Sequence, residues 1–255
     1  MTNTFPTSIE TASGPQYVEY AAAGDTKVGS PIDMHQVIRT GNIPDTVKDK
    51  KSLASTLLEV DSWLPFAAEA YQISPDIKDF VLSPTVIFIS DLPNANLAAF
   101  PLNELTAWNT SAGDIAYRTW ARKPCFVEHK NDDPSIAAGI ILDSSLRSVP
   151  NYIGGMGRVV LLNSWDRNRY PEVANKFLTG RTGASMGCMV SDYSCGVCSA
   201  SLRKGGCAHI HPKLGVKVPE VGNKLTYRIA HGITGFECSQ VSVPAWRSAW
   251  GKAIG

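Results

Sequence analysis

Two short segments of this chain carry residues able to do chemistry together. The first is Lys123-Pro-Cys-Phe-Val-Glu-His129-Lys-Asn-Asp-Asp133-Pro134, followed by Ala138-Gly139-Ile-Ile-Leu-Asp143. The second is Thr182-Gly-Ala-Ser185-Met-Gly187-Cys-Met-Val190. A serine hydroxyl is scarcely ionised at neutral pH and needs a base beside it to become a nucleophile. Imidazole is the usual base, because its pKa lies near the working pH. His129 and Ser185 therefore form a candidate hydrolytic pair. A third segment, Gly235-Phe-Glu237-Cys-Ser-Gln-Val-Ser-Val-Pro244-Ala245, offers Glu237 as the carboxylate that orients and charge-balances a catalytic histidine. Each residue also has a plainer reading. His129 would be a hydrogen-bonded strand end, Ser185 a small residue chosen for close packing, and Glu237 a solvated strand position. Gly187 and neighbouring amides are candidate donors to an oxyanion.

A separate cluster points to a metal. Cys195-Gly-Val-Cys198 is followed after eight residues by Cys207-Ala-His209, with His211 close behind. Paired thiolates, a polar turn-prone loop, then Cys and His supply four soft ligands, the set that zinc takes tetrahedrally in structural sites. Cys195, Cys198 and Cys207 are candidate ligands; the spacing leaves His209 and His211 as alternatives for the fourth. The plainer reading is a group of reduced, unliganded thiols. Cys125, Cys188 and Cys238 stand in apolar context and read as core.

The elements that must position these groups follow from pattern. Residues 1–47 are rich in Thr, Ser, Gly, Pro and charge without a sustained period, and read as an arm. Leu53, Leu57, Val60, Leu64, Ala67 and Tyr71 recur at helical spacing, with Pro65 inside the run. An apolar, β-branched run predicts a strand at 81–89, and further strands are expected at 126–129, 140–142, 159–162, 185–190 and 236–243, with 126–129 paired to 140–142. Pro171 and Gly180 bracket a short helix. The fold class expected is α+β: a β-rich barrel with a few helices. The expected organisation is an N-terminal arm and amphipathic helix over 1–77 and a main domain over 78–255, carrying a zinc-knuckle insert at about 192–212. The formal net charge of +1 and the lack of a basic run argue against nucleic acid as a partner, the zinc-knuckle nucleic-acid binder included. No apolar stretch approaches the ~20 residues that cross a bilayer, and the start of the chain lacks a signal-peptide pattern. A reducing cytosol is the expected compartment.

The order Lys-Pro…Glu-His…Asp-Pro…Gly, then Gly-x-Ser-Met-Gly, then Phe-Glu-x-Ser-x-Val…Pro-Ala resembles the prohead (capsid maturation) proteases of tailed bacteriophages. Those are similar in fold to the herpesvirus assemblin proteases. The resemblance covers roughly residues 80–250. It implies an assemblin-like barrel, His129 as general base, Ser185 as nucleophile and Glu237 in the third place, which is a histidine in the herpesvirus branch. Cys238 and Gln240 depart from the apolar residues expected around it. It further implies a serine endopeptidase that trims scaffold and major capsid proteins, with self-association, in the host cytoplasm within a prohead or virion. The zinc would serve the fold and not the reaction. The rival expectation is a non-cleaving virion structural or connector protein on the same protease-like fold.

Overall fold

The computed structural model describes residues 8–11, 14–20, 50–149, 156–246 and 249–254. Strands β1 (Ser8–Thr11) and β2 (Gly14–Tyr20) form a hairpin. Helix α1 (Lys50–Tyr71) leads into β3 (Phe80–Ile89), β4 (Ala98–Ala99) and the short α2 (Leu102–Thr106). Next come β5 (Trp108–Asn109), β6 (Asp114–Ile115), β7 (Pro124–Val127), β8 (Gly139–Ser148) and β9 (Gly157–Asp166). Helix α3 (Pro171–Thr179) precedes β10 (Thr182–Cys195), β11 (Lys217–Val218), β12 (Lys224–Leu225), β13 (Arg228–Val241) and β14 (Trp250–Gly251).

The main sheet runs β1-β2-β10-β13-β7-β8-β9-β3. It curls almost shut. The C-terminal segment spans the gap, since β14 pairs with β10 at Thr182 and Gly183 while the Ile254 amide donates to the Leu82 carbonyl of β3 at 3.0 Å. The result is a β-rich, nearly closed barrel with three α-helices among the described residues.

Alternation along the strands fills the interior. Ala184, Met186, Cys188 and Val190 of β10 point into the main core, with Cys238 and Ile233 of β13 and Trp120 and Trp165 from elsewhere. A period of two sends Ser185 and Gly187 to the opposite face of β10, and Glu237 and Ser239 to that of β13. Cys125, Cys188 and Cys238 are fully buried, as their context predicts. Burial first, then the Glu237 carboxylate, holds the Cys238 thiol well above its usual range. Burial likewise raises that of Cys125, with lesser contributions from Cys238 and Glu237.

Helix α1 covers one outer face of the barrel. Val60, Leu64 and Ala68, spaced four apart, pack on Phe80, Phe126, Ile140 and Leu142. Each such valine, leucine, isoleucine or phenylalanine withdrawn from water contributes about 1.5–3 kcal/mol. The helix thus packs on its own barrel.

Two differences from the sequence pattern bear on function. The strand expected at 126–129 is β7, which runs two residues earlier, over Pro124–Val127. Only Pro124 and Cys125 pair with β8; Cys125, Phe126 and Val127 pair in parallel with β13. Parallel partners far apart in sequence leave no local signal. The other difference lies in the arm. Most of residues 1–47 fall outside the described residues, but 8–11 and 14–20 form the β1–β2 hairpin, and β2 joins β10. No helix among the described residues is long and apolar enough to cross a membrane.

Candidate active site and candidate metal centre

Three neighbouring strands bring the candidate catalytic residues to one face. In the β10–β13 ladder Ser185 stands opposite Ser239, and Gly187 opposite Glu237. A bulge follows at once, between Gly187 and Cys188. On the other side of β13, β7 delivers the chain past Val127 into a tight turn. Glu128 and His129 both adopt left-handed backbone, with φ of 49° and 55°. Such conformations cost free energy in residues with a side chain and persist only when held. Glu128 does the holding: its amide donates to the Gln240 carbonyl at 2.8 Å, and its Oε1 accepts from the Ser242 amide and hydroxyl at 2.8 and 2.7 Å.

This turn aims the imidazole across β13. His129 Nδ1 lies 2.9 Å from Glu237 Oε1. Glu237 is fully buried, and its second oxygen accepts from Ser239 Oγ at 2.5 Å. With the carboxylate ionised, Nδ1 carries the proton and Nε2 is the basic atom. Glu237 is therefore the group at Nδ1. The glycine at 187 has a steric reason. A Cβ there would come within 2.4 Å of Glu237 Oε1 and 2.8 Å of its Cγ. Only glycine lets β10 pass over the buried carboxylate. Its carbonyl accepts from Trp120 Nε1 at 3.1 Å.

Ser185 is 1% exposed, and its Oγ has no hydrogen-bond partner among the described residues. A buried hydroxyl left unsatisfied costs about 1–3 kcal/mol, so its retention calls for a reason beyond packing. Ser185 shares a face of the sheet with Glu237, and its Oγ makes no hydrogen bond to His129 in the structure.

The candidate metal ligands begin at the far end of β10, whose last residue is Cys195. Ligand atoms of Cys195, Cys198, Cys207 and His209 all fall within 4.8 Å of one another. Zn–S bonds of about 2.3 Å place tetrahedral ligand atoms roughly 3.8 Å apart, so the set needs little contraction to hold zinc. The first half is a tight turn in which the Ser199 amide donates to the Cys195 carbonyl at 2.8 Å and the Val197 amide to Cys195 Sγ at 3.3 Å. Left-handed Gly205 and Gly206 then return the chain to Cys207. The sulfurs are inequivalent. Burial drives the Cys195 thiol up to about 11. At Cys207 burial is outweighed by hydrogen bonds involving Cys198 and the Ile210 and His209 amides, bringing the thiol down to about 7. Of the two histidines that the spacing offered, His209 stands in the cluster. The ring of His211 instead lies over Gly206, where a Cβ would meet its Cδ2 at 3.3 Å.

The purified protein should accordingly carry about one metal per chain. Chelation should lower its melting temperature, because metal binding at a structural site is also folding energy. His209→Ala should lose the metal and His211→Ala should keep it, read by elemental analysis beside calorimetry. Equal metal content in both variants would remove His209 from the ligand set.

A further polar network escaped the sequence reading. Ser194 Oγ meets His231 Nε2 at 2.8 Å, His231 Nδ1 meets Glu104 Oε1 at 2.9 Å, and the Gly232 amide donates to Glu104 Oε2 at 3.0 Å. It clasps α2 to β10 and β13 immediately before Cys195, and so braces the strand that enters the metal loop.

No protein-family model, curated protein or solved structure matches this chain.

Proposed function

We propose that this protein is a serine endopeptidase of the prohead type, with an assemblin-like barrel, that cleaves scaffold and major capsid proteins during maturation of a phage head. The observation that carries the reading is the 2.9 Å contact of His129 Nδ1 with the buried Glu237, on the face of the sheet that also carries Ser185. The quoted motifs at these same positions support the substrate class, and with it a setting in the host cytoplasm within a prohead or virion.

In this reading His129 Nε2 takes the Ser185 proton as Oγ attacks a peptide carbonyl. The amine leaves with that proton, and an ester to Ser185 remains. Water, deprotonated by His129, then releases the acyl group and restores the serine. Glu237 holds the imidazole in one tautomer and balances its charge while it is protonated. Zinc on Cys195, Cys198, Cys207 and His209 would stabilise the strand end and take no part in the reaction.

A fluorophosphonate probe tests this directly, since it reacts only with serines activated by a base. Peptide mapping should find the adduct on Ser185 in the parent protein and none in His129→Ala. An unlabelled Ser185 after long exposure would leave the non-cleaving virion component as the reading to pursue.

A further inference from the structure

Strand β10 carries the nucleophile of the proposed peptidase, and its two edges are used differently. One edge pairs with β13 along almost its whole length. The other is divided. β14 takes Thr182 and Gly183, and the Ala184 amide donates to the Ala249 carbonyl at 2.8 Å. β2 takes Gly187 to Val190, antiparallel, with Tyr20 opposite Gly187 and Tyr17 opposite Val190. Ser185 sits at the break between these two occupants. The last paired residue of β2 is thus two positions from the serine, or about 7 Å along a strand.

We propose that this edge of β10 is the docking edge for an extended peptide substrate, and that β2 is the chain's own strand seated on it. The inference rests on the serine-peptidase reading above. An exposed strand edge presents unpaired amides and carbonyls to any extended chain, and pairing there holds a peptide through its backbone while side-chain pockets select its sequence. A peptide paired along β10 carries its carbonyls past Ser185, which sits in the strand itself. β2 makes this pairing already, in the direction an antiparallel substrate would take.

Three observations fit an occupant that must leave. Ser185 is almost wholly buried although it has no hydrogen-bond partner among the described residues. The hairpin is joined to the barrel through β2 alone in the described sheet, since β1 pairs only with β2. The shared ladder is also short, four residue pairs. An isolated hairpin is marginal in water, so its hold on β10 is within reach of competition by a substrate strand.

Proline in β2 removes an amide donor and blocks strand pairing without touching the barrel. Successive amides of a strand point to opposite sides, so of Val18→Pro and Glu19→Pro one strikes a donor to β10. That variant should react with the fluorophosphonate at Ser185 at least tenfold faster than the parent chain. Amides of Cys188 to Val190 should exchange faster as well. A free peptide of the sequence Gly14–Tyr20 should slow the variant's labelling again. Labelling at the parent rate in both variants would overturn the occupancy of a substrate edge and leave the peptidase reading standing. No label at Ser185 in any form would remove both together.

Discussion

Ser185→Ala should leave scaffold and capsid proteins uncut in a co-expression assay, while the variant melts at or slightly above the temperature of the parent. The two halves of this result have separate causes. In the proposed mechanism, the loss of cleavage follows from removing the atom that forms the acyl bond. Where a triad acts as a unit, deletion of the nucleophile costs as much as deletion of the whole set, roughly 10⁶-fold in kcat for a subtilisin-type site. The stability result follows from burial. Ser185 Oγ is enclosed and has no hydrogen-bond partner among the described residues. Alanine removes that oxygen, and with it a desolvation penalty of about 1–3 kcal/mol, at the cost of a very small void. A structural serine behaves in the opposite way, since its loss breaks a bond. Cleavage that continues at the parental rate would rule out Ser185 as nucleophile. A sharp fall in melting temperature would assign it to the fold.

What could be read from the sequence divides along physical lines. The Cys195, Cys198 and Cys207 cluster was legible because its spacing is local in the sequence. The strand-forming runs near 81–89 and 159–162 were legible because valine, isoleucine and leucine dominate them. Pro171 and Gly180 marked α3 for the same kind of reason. The position of His129 was only half legible. Its type and flanking residues were visible, but its aim depends on two left-handed residues and on Glu128 gripping Ser242, 114 positions away. The bond to Glu237 spans 108 positions and passes through a parallel β7–β13 ladder that no periodicity announces. The choice of His209 over His211 needed the loop's path through Gly205 and Gly206. The pairing of β2 with β10 had no signal at all. Residues 14–20 have the composition of a strand only once a partner edge is supplied, which is the general weakness of β-propensity. The Glu104–His231–Ser194 clasp joins three elements and was invisible for the same reason.

Glu237→Gln should keep the fold and lower kcat by about 10²- to 10⁴-fold, with KM little changed. The buried carboxylate serves two partners, His129 Nδ1 at 2.9 Å and the Ser239 hydroxyl at 2.5 Å. A glutamine can serve both as well. Its carbonyl accepts from Nδ1–H, and its amide donates to a Ser239 hydroxyl turned to accept. Geometry and tautomer therefore survive the change, and what is lost is the negative charge facing an imidazolium in a dry site. That charge matters only once His129 has taken the serine's proton, which is why the effect falls on kcat. A purely structural Glu237 would show the reverse: altered melting, with kcat and KM unchanged in the folded fraction. Gly187→Ala supplies an independent check. Its new Cβ would come within 2.4 Å of Glu237 Oε1, so the carboxylate must move. This variant should lose activity with every catalytic side chain still present. It should also lose some stability, whereas Glu237→Gln should not. Full activity in both variants would show that His129 works without Glu237. Activity lost in Gly187→Ala but kept in Glu237→Gln would mean that the site needs a hydrogen-bond acceptor at Nδ1 and not a charge.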